Sequence, residues 1–184
     1  MNLIDSCQKR FVVIYDINLQ DKSATFETIY PSANLEFQDK KLENLSPRFI
    51  DMYNQALYSE SAGHNELAAV GYRAALEILV KDYAIEERGA NKDEVKNKTL
   101  CVAIEEYLEQ QNLIASADVI RILGNDYAHY ERKYPEHNFE ILKDYMEIFI
   151  HLIGTNLRIA HPPVSRQGKN QTQPTASPKV PSIE

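Results

Sequence analysis

Residues 65–88 are predicted to form a helix that is apolar on nearly every side. One stripe consists of Leu67, Val70, Ala74 and Ile78, and the opposite side carries Ala69, Tyr72, Leu76, Val80 and Tyr83. A helix that is apolar all round is normally buried all round, so this one is expected at the centre of a helical bundle. Arg73 and Glu77 lie in its middle, one turn apart, and burying them unpaired would be costly. We expect a structural ion pair between them, or, alternatively, an Arg73 side chain that reaches a site shared with another helix.

Four further helices are predicted around this central one. Ser46 followed by Pro47 is typical of a helix start, because serine caps free N–H groups and proline fits the first turn. Gly63 and Gly89 are expected to end the first and second helices. The helices are predicted near 47–61, 65–88, 99–111, 116–128 and 138–159. The last of them is expected to bury Leu142, Tyr145, Met146, Phe149, Leu152 and Ile153. The fold class is therefore mainly α, a bundle of about five helices preceded by a small β-hairpin.

The chain is predicted to have three parts. Residues 1–45 contain the hairpin, with β-branched and aromatic strands at 10–18 and 24–30, and an irregular connector over 32–45. Residues 46–160 are the bundle, interrupted by a polar loop over 90–98. Residues 161–184 are rich in Pro, Ser, Gln, Thr and Lys, a composition that predicts a disordered tail.

Composition and charge limit the possible functions. The formal net charge is −7, and the tail carries three cations against one carboxylate, so residues 1–160 hold −9. An acidic body weakens any case for broad tracking of nucleic-acid phosphates. The sequence contains no long apolar run and no leader pattern, so we expect a cytoplasmic protein without a membrane contact. The histidines show no paired ligand spacing, the two cysteines cannot supply a four-ligand zinc site, and there is no glycine-rich nucleotide loop. We therefore expect neither metal nor cofactor.

Arg121, Asn125 and His129 follow each other at intervals of four residues. This spacing places a cation, an amide and an imidazole on one face of a helix. They are candidate catalytic residues, with His129 best suited to acid–base work because histidine is the residue type that most readily exchanges a proton near neutral pH. The alternative is a structural polar lock, in which Gly124 lets two helices approach and Asn125 and Asp126 bind neighbouring backbone. Arg73, Asp126 and Tyr130 are candidate nucleotide contacts, since an aromatic side chain can stack on a base, although a tyrosine at a helix end can instead be half-buried packing.

Parts of the bundle resemble a known bacterial family. The residues that carry the resemblance are Arg73-Ala74-Ala75-Leu76-Glu77, the helix over 100–108, and the string Ile120-Arg121-Ile122-Leu123-Gly124-Asn125-Asp126-Tyr127-Ala128-His129. The chain resembles over 46–160 a family of HEPN-like domains of unknown function, which occurs alone and on restriction-type subunits in prokaryotic defence.

The resemblance implies a comparison with HEPN ribonucleases. These enzymes carry an arginine, often followed by a polar residue, with four to six residues before a histidine. Two such motifs meet across a homodimer and cleave RNA without metal. Here Asn125, Ala128 and His129 match that pattern, but Gly124 stands where the arginine would be, and Arg121 lies one turn earlier.

Three functions remain open on these grounds. The first is a non-catalytic or weakly catalytic interaction domain in a defence or toxin–antitoxin setting, which contacts a protein partner, RNA or a nucleotide. The second is a metal-independent endoribonuclease, with His129 as general acid/base, Arg121 and Arg73 stabilising charge, and Asn125 orienting the phosphate. The third is a purely structural dimerisation module. HEPN-like bundles commonly pair, so the resemblance also implies a homodimer, and we expect the helix that carries Arg121 at or near the interface.

Overall fold

The computed structural model describes residues 12–30 and 36–164, and within these ranges the protein is mainly helical with one small antiparallel hairpin. The predicted fold class is confirmed. None of the helices described is both long and apolar enough to cross a membrane. In chain order the elements are β1 Val12–Asn18, β2 Ser23–Tyr30, α1 Lys40–Leu45, α2 Pro47–Ser61, α3 Asn65–Glu86, α4 Lys92–Asn97, α5 Leu100–Tyr107, α6 Gln111–Asp126 and α7 Phe139–Ala160.

The hairpin pairs β1 with β2 in antiparallel register, from Val12 opposite Tyr30 to Asn18 opposite Ser23. Its turn is held by Asp21, whose carboxylate accepts hydrogen bonds from the backbone and hydroxyl of Ser23 at 2.9 and 2.6 Å. Both predicted strands are present. Residues 10 and 11 of the first prediction lie outside the described residues, as do residues 32–35 of the connector and residues 165–184 of the tail.

The predicted start of α2 is confirmed by its capping contacts. The hydroxyl of Ser46 accepts from the backbone N–H of Phe49 at 3.3 Å, and Pro47 occupies the first helical position. The same hydroxyl donates to the carboxylate of Asp82 on α3, so the cap also joins two helices. Gly63 and Gly89 adopt φ values of +78° and +65°, in the left-handed region that follows helix ends.

Two short helices were not predicted. The expected irregular connector contains α1, and the expected polar loop contains α4. Each is only six residues long and has a side-chain cap, from Asp39 and Asn91 respectively. A helix of one and a half turns shows little apolar periodicity, so only its cap is visible in the sequence. The prediction for α6 was also too short, since this helix begins at Gln111 rather than at 116.

The central position of α3 is confirmed, since it packs against α2, α5, α6 and α7. The prediction of which sides are buried was wrong in part. Leu67 and Val70 are exposed and Ala74 is half-buried, whereas the opposite side, including Tyr72 and Leu76, is fully buried. Of the α7 residues predicted in the core, Leu142, Met146, Phe149 and Ile153 are buried, and Tyr145 and Leu152 are half-buried.

Candidate functional site

The last turn of α6 and the residues after it carry the candidate site. The helix ends at Asp126, two residues before the predicted end, so His129 lies beyond it in a turn. There the backbone N–H groups of Ala128 and His129 bind the carbonyls of Asn125 and Asp126 at 3.1 and 3.2 Å. This turn brings the side chains of Asn125 and His129 together, with 3.0 Å between Nδ2 and Nε2. Both side chains are exposed.

The contact between Asn125 and His129 restricts what the imidazole can do. An amide nitrogen only donates, so Nε2 of His129 is the acceptor in this arrangement. In the tautomer that carries its proton on Nδ1, the Nε2 lone pair that a general base would use is therefore engaged by the amide of Asn125. A ligand that needs this nitrogen must first displace Asn125.

Arg121 points its charge toward a carboxylate on its own helix. Its Nε and Nη2 both lie 2.9 Å from Oδ1 of Asp118, one turn earlier. The side chain is half-buried, and so is that of Asp118. The predicted trio is thus divided, because Asn125 and His129 contact each other while Arg121 pairs with Asp118.

Gly124 lies at the crossing of α6 and α3. A Cβ built on this glycine would stand 2.6 Å from Cβ of Arg73 and 3.1 Å from the carbonyl oxygen of Ala69. The first distance is shorter than real Cβ contacts, so the two helices could not keep this separation with any side chain at residue 124. The glycine is needed for close packing of the two backbones.

Arg73 lies directly opposite this glycine on α3. Its Nη1 is 3.5 Å from Oε2 of Glu77, and Glu77 also accepts from Lys81 at 2.8 Å. These three side chains form a row of alternating charge along one side of α3. The Nε of Arg73 is buried and has no hydrogen-bond partner among the described residues. The guanidinium is therefore only partly satisfied.

Asp126 is buried and organises the loop between α6 and α7. Its carboxylate accepts hydrogen bonds from the backbone of Lys133 at 2.6 Å and of Tyr134 at 3.3 Å, and from Nε of Arg132 at 3.2 Å. Burial opposes ionisation of Asp126, but these two backbone bonds and the Arg132 guanidinium outweigh it, so the pKa of this carboxyl is lowered. Asp126 faces the loop and is not available to a ligand in this arrangement.

Arg132 completes this loop and was not identified from the sequence. Its guanidinium donates to the carbonyls of Tyr134 and His137 at 3.2 and 2.8 Å, and it lies 4.0 Å from the ring centre of Tyr127. One signal was present, because an aspartate in the last turn of a helix faces the negative end of the helix dipole and needs a cation nearby. The loop leaves Tyr130 fully exposed beside it.

The chemistry available at the site is an exposed imidazole, an amide and two arginines, both ion-paired within their own helices. In residues 12–30 and 36–164 no three His, Cys, Asp or Glu side chains form a group that could hold a metal ion. Cys101 is a free, half-buried thiol on α5.

Neither the curated proteins nor the solved structures with which the sequence was compared include a match. One protein-family model matches residues 54–169, a range that takes in the central helix, the candidate site and α7. This match covers more than half of the chain, which therefore belongs to the family described as Domain of unknown function (DUF4145).

Proposed function

We propose that this protein is a cytoplasmic, HEPN-like interaction domain that forms a homodimer in a prokaryotic defence or toxin–antitoxin setting, with little or no catalytic activity of its own. The resemblance of the string around Asn125 and His129 to HEPN-like domains supplies the setting. The geometry around Gly124 supplies the argument against strong catalysis.

The observation that carries the proposal is the packing of Gly124 against Arg73. In HEPN ribonucleases an arginine at the equivalent position stabilises charge at the scissile phosphate. Here that position is buried at a helix crossing, with 2.6 Å between a built Cβ and Cβ of Arg73. The sequence therefore replaces a catalytic guanidinium with a packing contact, and the developing charge loses its main stabiliser.

The two neighbouring arginines do not readily replace it. Arg121 is bound to Asp118 and Arg73 faces Glu77, so each guanidinium already has a carboxylate nearby. Drawing Arg121 to a phosphate would leave Asp118 without its partner, whereas Glu77 would keep Lys81 at 2.8 Å if Arg73 moved. This supports binding rather than turnover at the site.

The proposed dimer surface is the exposed side of α3 next to α6. Leu67 and Val70 are 65% and 39% exposed there, although the helix lies at the centre of the bundle. A two-fold partner would cover these apolar side chains and bring two copies of the Asn125–His129 pair toward one another. A purely structural dimerisation module would use the same surface.

Incubation of the purified full chain with RNA in the presence of EDTA tests the catalytic part of the proposal. We expect the RNA to remain intact with wild type and with His129→Ala alike. Cleavage by wild type that is lost in His129→Ala would contradict the proposal and establish a ribonuclease.

A matched pair of valine variants tests the dimer. We expect sedimentation at micromolar concentration to give a dimer for wild type, a monomer for Val70→Glu, and a dimer for Val102→Glu. Val102 is a suitable control because it is 42% exposed on α5, away from the proposed surface. A monomeric wild type, or equal effects of both substitutions, would refute this interface. A nucleotidyltransferase or restriction subunit encoded by the neighbouring gene would support the setting.

A metal-independent endoribonuclease is the second candidate, and the exposure of the His129 imidazole favours it, because a ligand can reach the ring once the Asn125 amide is displaced. In that function His129 is the general acid/base, Asn125 orients the phosphate, and Arg121 and Arg73 stabilise charge. The exposed ring of Tyr130 could stack on a base. Asp126 is buried in the loop, so it would support nucleotide binding only by holding that loop in place.

A further inference from the structure

Two adjacent cavities form one groove between α2, α7 and the segment that precedes α1. Their volumes are about 520 and 320 Å³, and Phe37, Tyr53 and Glu147 line both of them. The groove is separate from α6, which contributes none of its described lining.

The aromatic wall of this groove is held in place by the fold. The ring centres of Phe37 and Tyr53 are 5.1 Å apart with planes at 72°, so the rings make a corner. The side chain of Asn54 fixes the backbone of Phe37 from both sides, accepting from its N–H at 2.8 Å and donating to its carbonyl at 3.3 Å. Phe37 is therefore held in place at the groove, while Tyr53 behind it is buried, with 5% of its surface exposed.

The charged groups of the groove give it an excess of negative charge. Each cavity contains one ion pair, Lys143 with Glu60 in the smaller and Arg158 with Asp39 in the larger, both at 2.6 Å. The lysine and the arginine of the groove are therefore both neutralised by carboxylates of its own lining.

Two carboxylates, Glu36 and Glu147, remain beside the aromatic corner. Glu147, at the junction of the cavities, makes neither a hydrogen bond nor an ion pair within the described residues, and Glu36 accepts only a 3.3 Å bond from Gln38. The local potential is also visible at Tyr53, where burial raises the pKa of the phenol and the charges of Glu147 and Glu60 raise it further.

We propose that this groove binds an aliphatic polyamine, with its alkyl chain along the half-buried Phe37 and an ammonium group at the exposed Glu147. Alkylammonium cations interact favourably with aromatic faces and with carboxylates at once. Leu57 and Ile150 provide apolar walls for the methylene groups, one in each cavity. Two cavities that share Phe37, Tyr53 and Glu147 fit a chain with several spaced ammonium groups better than a single cation.

Calorimetric titration of the full chain with spermidine tests this site. We expect saturable binding that weakens with added salt, because the contact is electrostatic and partly exposed. Glu147→Gln should weaken binding about fivefold, the effect of losing about 1 kcal/mol. Phe37→Leu should also weaken it, since an apolar side chain remains but the aromatic face is gone. The folding of both variants is checked by circular dichroism.

Glu105→Gln is the charge-matched control, since Glu105 is an exposed residue of α5, outside the groove. It should bind spermidine as wild type does. N-acetyl-lysine amide, with one ammonium group, should bind clearly more weakly than spermidine. The absence of saturable binding, equal binding by Glu147→Gln and wild type, or equal affinity for the lysine derivative would overturn the assignment.

Discussion

Gly124 of α6 and Arg73 of α3 are in direct contact, and the glycine is what permits it. A Cβ on residue 124 would lie 2.6 Å from Cβ of Arg73 and 3.1 Å from a backbone oxygen that cannot move aside cheaply. The contact fixes the spacing of the two helices that bear Arg73, Arg121 and Asn125. Packing and the chemistry of the candidate site are therefore coupled through one residue.

Gly124→Ala is expected to force extra volume into a packed site, which usually costs about 1–3 kcal/mol. After subtraction of the gain of about 1 kcal/mol that alanine brings to a helix interior, we expect a net loss of up to about 2 kcal/mol. Urea unfolding of the variant measures the difference.

Gly154→Ala is the control for that experiment. A Cβ at residue 154 would approach Nη1 of Arg158 at 2.8 Å, the end of a flexible side chain that can shift. Its free energy of unfolding should be equal to or above that of wild type. Equal stability of the two glycine variants would contradict the role given to the crossing.

Asp126→Asn is expected to lower the melting temperature at pH 7, because the charged hydrogen bonds that order the α6–α7 loop are weakened. The pKa of Asp126 is lowered in the folded protein, so its contribution to stability is complete above about pH 4, the unfolded value. It is lost as the pH falls through the folded pKa.

The difference in melting temperature between wild type and Asp126→Asn should therefore shrink below about pH 4. Asp144→Asn, at an exposed position of α7, should change the melting temperature little at either pH. A gap between wild type and Asp126→Asn that stays constant down to pH 3 would show that the carboxylate charge is not what orders the loop.

The long elements of this fold were predictable because their signals are local. The cap at Ser46 and Pro47 marks the start of α2, and the apolar residues of α7 repeat with the helical period. By contrast, α1 and α4 are too short to show that period. The prediction that α3 is buried on all sides was wrong in part for another reason. A helix with apolar residues on all sides does not show by itself which side its neighbours cover.

The site was predictable only as far as spacing within one helix allows. The order of Arg121, Asn125 and His129 suggested a common face, but the helix ends at Asp126 and Arg121 turns to Asp118. Arg132 was missed because its partners depend on how an irregular loop folds back. No periodic pattern encodes such contacts.

Tyr72→Phe is expected to cost about 1 kcal/mol of stability at neutral pH, the usual effect of losing one buried hydrogen bond. The hydroxyl of Tyr72 donates to Glu60, which also binds Lys143 at 2.6 Å and so joins α2, α3 and α7. Tyr53→Phe is the matched control, because the ring packs beside Tyr72 while its hydroxyl makes no hydrogen bond within the described residues. Equal losses in both variants would mean that the network with Glu60 contributes nothing.

A comparison of Arg132→Ala with His129→Ala shows which of the two side chains stabilises the α6–α7 loop. Arg132 makes three hydrogen bonds and covers the ring of Tyr127, and its removal leaves the buried Asp126 without its cation. We expect a loss of about 2 kcal/mol in the free energy of unfolding, typical of breaking a buried charged contact. The side chain of His129 is exposed, and its one hydrogen bond within the described residues is to Asn125, so His129→Ala should cost no more than about 0.5 kcal/mol. Urea unfolding of both variants at pH 7 gives the comparison. A larger loss in His129→Ala than in Arg132→Ala would show that the contact between Asn125 and His129 stabilises the loop. The exposed pair would then have a structural role instead of a binding one.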